Sequence, residues 1–364
     1  MRSLMVHFKK IDWILIASAI FLVSIGLLSI YSSSHFRGNF LNFKKQVIFL
    51  IISFFLMILL SFLDWRALRE NPHLILVLYV ICILALLGLF FFATERRGTR
   101  SWYKIGPITI DPIEFTKIVL IIILAKYFSK RHIEMYRIRH IFISGLYILI
   151  PFILIFFQPD LGSASLLIIL WIGVLIFSGI QTRHFLTLIL LFILLATFSW
   201  LFLLKDYQKM RILNFLQPQL EPLGMGWSKA QAKIAIGSGG FLGKGILRGS
   251  QVQLGFLPEP QTDFIFSAIC EEMGLLGAAI LLLLFLILIW RVIRIAFLAK
   301  NNFQRLFASG FAVLLLSQLF IHIGMNLGLL PIVGISLPLV SYGGSSLINT
   351  FIAFGILQSL IIHS

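Results

Sequence analysis

The sequence has few charged residues and very few cysteines. Asp, Glu, Lys and Arg make up 12% of its 364 residues, about half of the quarter that is usual in soluble domains. Only two cysteines occur, Cys82 and Cys270, and both lie in apolar runs. Two such cysteines exclude a disulfide framework of the secreted type and argue against redox chemistry. We expect both thiols to be buried in helix packing.

Apolar residues are abundant instead. They make up 59% of the chain, and the mean hydropathy is +1.01. A water-soluble core of this length could not bury so many Leu, Ile and Phe side chains, whereas a bilayer can. A helix crosses the hydrocarbon with about 20 apolar residues. We therefore predict an all-α polytopic membrane protein, one domain over residues 1–364, with about ten spans. The predicted spans are Ile11–Tyr31, Gln46–Leu63, His73–Ala93, Pro112–Phe128, Ile141–Phe157, Leu161–Ile180, His184–Leu204, Asp263–Ile289, Leu306–Leu330 and Ser346–Ile362.

The positive charges predict the orientation only when the long polar segment 205–262 is left out. With the N-terminus inside, fifteen Lys and Arg lie in cytoplasmic segments and fourteen outside, of which seven belong to that segment. Long loops count little in the positive-inside rule, so fifteen against seven places both termini in the cytoplasm. The many outward cations are explained equally by lipid headgroups or by a site for an anionic lipid substrate such as a diphosphate.

The segment 205–262 is too long for a simple connection, and loops of this length are usually functional or disordered. Its glycine cluster, Gly237–Gly245, does not match a P-loop, which would need Gly at Ser238 and Ser or Thr at Gly245. It does not match a dinucleotide fingerprint either. We interpret the glycines as sites of close backbone approach, near the cations Lys244 and Arg248.

Ionisable residues inside predicted spans are functional candidates, because burying them is costly. Glu114 and Lys117 are three residues apart on a helix and can pair, either as a structural ion pair or as part of a site. Asp160 follows Pro159 at a tight turn and could cap the next helix.

Asp263 stands at the start of the eighth predicted span. It could be an N-cap, or it could lie on one helix face with the small residues Ser267, Cys270 and Gly274. Glu271 and Glu272 lie about 12 Å deeper along the same helix and must face protein or water. Proton relay, ion binding and general base catalysis all remain open from chemistry alone. The breaker-rich segment Leu329–Ser346 predicts non-helical backbone at membrane depth.

In this order the motifs resemble the SEDS family of shape, elongation, division and sporulation proteins, over nearly the whole chain. The matching segments are Lys233–Gly240, Phe256–Phe266, Gly328–Pro331 and Pro338–Ser346, with support from Pro112–Lys117 and Gln158–Gly162. Gly243–Gly245 and Gln253–Pro258 look more like the RodA branch than the FtsW branch.

The resemblance implies a peptidoglycan glycosyltransferase that polymerises lipid II at the outer membrane face, with a large extracytoplasmic loop between spans seven and eight. Asp263 matches the family's essential acid, which implies a general base on the acceptor hydroxyl, with inversion and loss of undecaprenyl diphosphate. Glu114 and Lys117 match a polar pair of the family, Trp102 a functional tryptophan, and Asp160 the Gln-Pro-Asp acid. The candidate cations for the diphosphate are Arg100, Lys233, Lys244 and Arg248. Glu259, Ser341 and Ser345, which lie in matched motifs, complete the predicted substrate-binding set.

The chain departs from the family pattern at Gln261, where the family usually has His. A proton relay through that His is therefore not available. Two other functions stay open, a lipid II flippase and a non-catalytic scaffold of cell-wall synthases. The acids Asp111, Glu114, Asp160, Glu259 and Asp263 all map to the outward half, which favours chemistry over transport, although Glu271 and Glu272 complicate this division.

The resemblance also implies partners. We expect a class B penicillin-binding protein and other membrane proteins of the elongation complex, and no nucleic acid. No cofactor is implied with certainty, and a requirement for a divalent cation stays open. The expected location is the cytoplasmic membrane.

Overall fold

The computed structural model describes residues 7, 9–36, 38–65, 71–93, 101–106, 108–131, 138–204, 206, 209–210, 213 and 225–363. Most of this is α-helix. The long helices are α1 (Trp13–Phe36), α2 (Leu41–Phe62), α3 (Pro72–Phe92), α4 (Pro112–Ser129), α5 (Ile138–Phe157), α6 (Leu161–Phe177), α7 (Thr182–Phe198), α10 (Ile265–Phe297), α11 (Asn302–Leu327) and α12 (Gly344–Ile362).

These helices coincide with the ten predicted apolar segments, which confirms the all-α membrane fold. Within the described part of the chain, eight helices are long and apolar enough to cross a membrane. The other two are α4, which carries Glu114, Lys117 and Lys126, and α6, which has 17 residues. The count of ten spans stays a prediction.

Between α7 and α10 the structure describes the helices α8 (Met225–Ser238) and α9 (Ser250–Gln253). A short antiparallel hairpin precedes α4, formed by β1 (Tyr103–Ile105) and β2 (Ile108–Ile110), with Tyr103 opposite Ile110. The hydroxyl of Tyr103 donates to the carbonyl oxygen of Ala85 across 2.6 Å, and this bond holds the hairpin against α3.

Helix α4 forms the centre of the bundle. Nearly all of its residues from Ile113 to Phe128 are buried, and it packs against α3, α5, α6, α11 and α12. Helix α7 is the opposite case, since none of its residues is buried. It ends in a π-helical turn, Ser199–Leu203. An apolar helix without a buried residue is stable only in lipid or against another apolar partner.

The sequence did not predict a break inside α10. Gly274 has φ +68° and ψ −165°, which is not helical, and a side chain there would also overlap the backbone of Gly243. The predicted start of this span was Asp263, whereas the helix begins at Ile265. The interval 329–343 between α11 and α12 is non-helical, as the breakers predicted.

Candidate active site

Asp263 lies in the turn 260–264 that leads into α10. It does not occupy the N-cap position, which belongs to Phe264 and has no side-chain cap. The turn closes on itself, because the carbonyl oxygen of Glu259 accepts hydrogen bonds from the N–H groups of Thr262 (3.2 Å) and Phe264 (3.3 Å). Glu259 has φ +42°, a conformation that a residue with a side chain rarely adopts. The turn is therefore a fixed and strained element of backbone.

Three successive carbonyl groups of this turn are each held by a different donor. The carbonyl of Gln261 accepts from the N–H of Tyr342 at 2.8 Å. The carbonyl of Thr262 accepts from the hydroxyl of Ser341 at 2.9 Å. The carbonyl of Asp263 accepts from the side-chain amide of Asn326 at 3.0 Å. The position of the Asp263 backbone is therefore set by α11 and by the segment before α12.

Asn326 is completely buried and uses both ends of its amide group. Its oxygen accepts from the N–H (3.2 Å) and the hydroxyl (2.6 Å) of Ser267 in α10. Its nitrogen donates to Asp263 and also to the carbonyl of His322, one turn earlier in α11. One side chain thus ties the start of α10 to the end of α11 beside the candidate base.

Gln261, which replaces the usual His, is buried and has two side-chain partners. Its Oε1 accepts from Asn42 of α2 at 2.7 Å, and its Nε2 donates to Ser34 of α1 at 3.1 Å. This side chain therefore joins α1, α2 and the Asp263 turn. These contacts link structural elements. They do not form a proton relay, because the side-chain amide of Gln261 neither gains nor loses a proton at physiological pH.

The second group of predicted site residues lies at the start of α4. Lys117 donates to Glu114 at 2.8 Å, and the side chains are 2% and 15% exposed, which confirms that they pair. Asp111 caps α4 by accepting from the N–H of Ile113 at 2.9 Å. Burial, and next the nearby Glu114 carboxylate, raise the pKa of Asp111 well above its ordinary value.

Asp160 has the capping role that its turn allowed, since its side chain accepts from the N–H of Ser163 at 3.0 Å. Its carboxylate is also close enough to contribute to the raised pKa of Asp111. The sequence motifs of α4 and α6 therefore meet at one end of the bundle.

The segment Ser341–Ser345 connects the two groups. Ser341 bonds to Thr262 beside Asp263, and the Ser345 hydroxyl accepts from the N–H of Asp111 at 2.9 Å. Four residues of chain extend at most about 14 Å. The turn of Asp263 and the acid-rich start of α4 consequently belong to one polar region. Trp102, partly buried, precedes the hairpin that leads into it.

The predicted cations fall into two environments. Lys244 pairs with the buried Glu271 at 2.9 Å. The same carboxylate accepts from the N–H groups of Gln251 (2.8 Å) and Val252 (3.1 Å) at the start of α9. Arg248 is exposed nearby. Lys244 therefore balances the charge of a buried carboxylate. This agrees with the prediction that Glu271 faces protein or water.

Lys229 and Lys233 lie one turn apart on α8, and the ends of both side chains lie against Gly328, the C-cap of α11. Burial, and then the neighbouring Lys233, lower the pKa of Lys229. The partial negative charge of a helix C-terminus favours cations at this position. Gly328 is two residues after Asn326, so the lysines lie at the end of α11 that carries Asn326. Arg100 lies outside the described residues.

Within the described ranges, no group of three or more His, Cys, Asp or Glu side chains is placed to hold a metal ion. A requirement for a divalent cation stays an open prediction.

The FtsW/RodA/SpoVE family model, described as "Cell cycle protein", matches residues 9–364. The chain belongs to this family, the SEDS family. It is 41% identical over 286 residues to the peptidoglycan glycosyltransferase MrdB of Escherichia coli K12, covering 79% of this chain and 77% of that one.

Two solved structures share the SEDS fold with this chain. One is a chain from a study of how a peptidoglycan synthase complex coordinates polymerization and crosslinking, with a TM-score of 0.83, 31% identity, and coverage of 96% of this chain and 97% of that one. The other is a mutant of the rod shape determining protein RodA of Thermus thermophilus, with a TM-score of 0.72, 29% identity, and coverage of 97% of both chains.

Sequence reasoning missed Asn326, which holds the Asp263 turn. It named Ser267 only as a small residue and included Tyr342 only within a matched motif, without their hydrogen-bonding roles. The cost of burying charge points only to ionisable residues in the predicted spans. An uncharged amide within an apolar span, two residues before a glycine, is a comparable signal, since it too must find hydrogen-bond partners away from water.

Proposed function

We propose that the chain is a peptidoglycan glycosyltransferase that polymerises lipid II into glycan strands during cell-wall elongation. Asp263 acts as the general base and takes the proton from the acceptor sugar's 4-hydroxyl. The hydroxyl oxygen then bonds to the donor's anomeric carbon, with inversion, as the bond to undecaprenyl diphosphate breaks. The donor's sugar is thereby transferred, and the diphosphate leaves with the negative charge.

The backbone clamp on residues 261–263 is the observation that carries this proposal. A general base must be held within hydrogen-bond reach of the proton that it removes. Groups that are fixed in position before the reaction lower its activation free energy. Here the backbone is fixed by Tyr342, Ser341 and Asn326. The backbone that carries the carboxylate is therefore positioned before the substrate reacts.

The departing diphosphate requires preorganised positive charge. Lys229 and Lys233 supply it best, because they lie at the end of α11 that also carries Asn326. Arg248 is a further exposed cation. Lys244 contributes less, since its charge is balanced by Glu271. The other predicted site residues are proposed to line the substrate region, and they are Arg100, Trp102, Glu114, Lys117, Asp160, Glu259 and Ser345.

The partner is proposed from the solved peptidoglycan synthase complex, whose chain resembles this one. A class B penicillin-binding protein would crosslink the strands as they form, together with other elongation proteins. The location proposed is the cytoplasmic membrane, with both termini in the cytoplasm and Asp263 facing outward.

The test is polymerisation of purified lipid II by the chain with its partner in proteoliposomes. Asp263→Asn should abolish glycan strands while leaving the thermal unfolding midpoint in place. The matched control is Asp64→Asn, because Asp64 is exposed beyond the end of α2 opposite to its contact with Gln261. Full activity in Asp263→Asn would overturn the base assignment.

The same preparation separates the other two functions. A flippase would move labelled lipid II across the bilayer even when Asp263→Asn forms no strands. A scaffold would leave strand formation to the partner, so that the partner alone would be as active as the complex.

A further inference from the structure

The glycine loop 239–245 fills the break in α10. The N–H groups of Lys244 and Gly245 donate to the carbonyls of Glu271 and Glu272, both at 3.0 Å. On the other side of the break, the N–H of Leu275 donates to Gly240 at 2.9 Å. The loop thus satisfies backbone groups that an unbroken helix would pair internally, which is required wherever water is excluded.

Helix α8 runs alongside the first part of α10 in the same direction. Ala232 and Ala235 pack with Phe264 and Ala268 near the start of α10, and further along Gly239 lies against the carbonyl of Cys270. From its lysines at Gly328, α8 therefore descends toward the middle of the bundle. The chain turns at the glycine loop and returns through α9, so 225–256 is a re-entrant segment.

The depth of the glycine loop in the membrane follows from the position of the opposite end of α10. Arg291 pairs there with Asp12 at 2.6 Å, just before α1 begins. The adjacent Trp290 and Trp13 are 61% and 53% exposed. Exposed tryptophans beside an ion pair are typical of a membrane–water boundary.

Helices α1 and α10 run about the same distance from this boundary before they contact each other again. From Asp12 to Ser32 along α1 is twenty residues, or about 30 Å. From Arg291 to Leu275 the helix α10 is unbroken for sixteen residues, or about 24 Å, and Glu272 lies three residues further on, across the break at Gly274. The two helices meet again at that level, where Ser32 donates to Glu272. This separation equals the hydrocarbon thickness of a bilayer, about 30 Å, so Ser32 and Glu272 mark the second boundary.

The glycine loop reaches below this second boundary. The carbonyl of Phe241 accepts from the N–H of Leu276 at 3.1 Å, and Leu276 is fourteen residues, about 21 Å, from the tryptophan level. Phe241 and Leu242 are 66% and 72% exposed at this depth. Arg248 is exposed nearer the level of Glu272, because it follows Gly245, whose N–H bonds to Glu272.

We infer that Phe241 and Leu242 are immersed among the acyl chains of the leaflet on the Asp263 side, with Arg248 at headgroup level. The segment 225–256 is thus a membrane-inserted wedge and not a water-exposed lid. Apolar side chains at hydrocarbon depth are stable only if lipid or protein covers them, and the cation at headgroup level favours lipid.

The test is the accessibility of a nitroxide attached to an introduced cysteine in the full chain. Phe241→Cys is labelled in proteoliposomes of phosphatidylethanolamine and phosphatidylglycerol. Leu286→Cys, on the exposed apolar face of α10, is the lipid control, and Asn39→Cys, beyond the end of α1, is the aqueous control. The native cysteines, Cys82 and Cys270, are buried and should not react.

We expect the label at position 241 to collide with oxygen as often as the label at 286, and at least tenfold less than the label at 39 with a water-soluble nickel chelate. Chelate collisions equal to those at 39 would overturn the inference. Protection from both reagents would overturn it too, by showing contact with protein. Leu242→Cys repeats the measurement at a second position if Phe241→Cys does not fold.

Discussion

The side-chain amide of Asn326 donates a hydrogen bond to the backbone carbonyl of Asp263, across 3.0 Å. This places a buried, uncharged residue of α11 directly behind the proposed base. The bond acts on the backbone of Asp263 and leaves the chemistry to its carboxylate. Asn326 is therefore a positioning residue, and its loss should change turnover more than substrate binding.

Asn326→Leu should lower strand formation about tenfold or more. The substitution leaves the carbonyl of Asp263 and the donors of Ser267 without their partner, and a buried unpaired polar group costs about 1–3 kcal/mol. The measurement is the kcat and KM of lipid II polymerisation, for samples of equal folded fraction.

Gln304→Leu is the matched control for this variant. Gln304 is also buried and also donates to a carbonyl, that of Leu360 at 2.8 Å, but at the opposite end of the bundle. It should lower stability by a similar amount without a comparable fall in kcat. Equal losses of kcat in the two variants would show that Asn326 acts only through stability.

The helices were predictable because each requires a long apolar run, and apolar runs are visible in sequence. The pairing of Glu114 with Lys117 and the capping by Asp160 were also predictable, because both depend on spacing along a single helix. The donors to the Asp263 turn were not, since Tyr342 and Asn326 reach it from segments more than 60 residues away. The break at Gly274 was missed because the loop that fills it comes from a separate segment.

Lys244 and Glu271 should prove to be a structural pair in a double-mutant cycle. Lys244→Met leaves a buried carboxylate with fewer donors and should lower stability by about 1–3 kcal/mol, less than the 3–5 kcal/mol of a fully buried pair, because Lys244 is partly exposed. Adding Glu271→Gln should restore only part of the loss, because it removes the unbalanced charge but places an amide nitrogen against the N–H of Gln251 or Val252. The readout is the thermal midpoint in detergent. If the double variant is stable but forms no strands, Lys244 also binds substrate.

Asp111 should make stability depend on pH. Its pKa in the folded protein is raised above the ordinary value of 3.8 by burial and by Glu114. The folded state therefore binds the proton more tightly than the unfolded state, and stability is lost as pH rises from about 4 through the folded pKa. Asn caps helices as well as Asp does, so Asp111→Asn keeps the bond to Ile113 and removes the charge.

Accordingly, the midpoint of Asp111→Asn should exceed that of the parent by about 2 °C or more at pH 8. The two proteins should converge below about pH 3, where Asp111 is protonated in both states. A difference that stays constant between pH 4 and pH 8 would contradict the raised pKa.

Gly274→Ala should prevent the glycine loop from closing the break in α10. The backbone there has φ +68°, and an added Cβ would overlap the N–H of Gly243, which itself has φ +82°. Neither the glycine loop nor α10 can move away from the other, because the N–H groups of Lys244 and Leu275 are hydrogen-bonded across the contact. We expect a loss of several kcal/mol, measured as folded yield and thermal midpoint.

Gly237→Ala is the control, because Gly237 is exposed on α8 and a Cβ there meets no other atom. It should fold normally, since Ala favours helix over Gly by about 1 kcal/mol. If Gly274→Ala folded equally well, α10 would be able to run unbroken, and the wedge would not depend on this glycine.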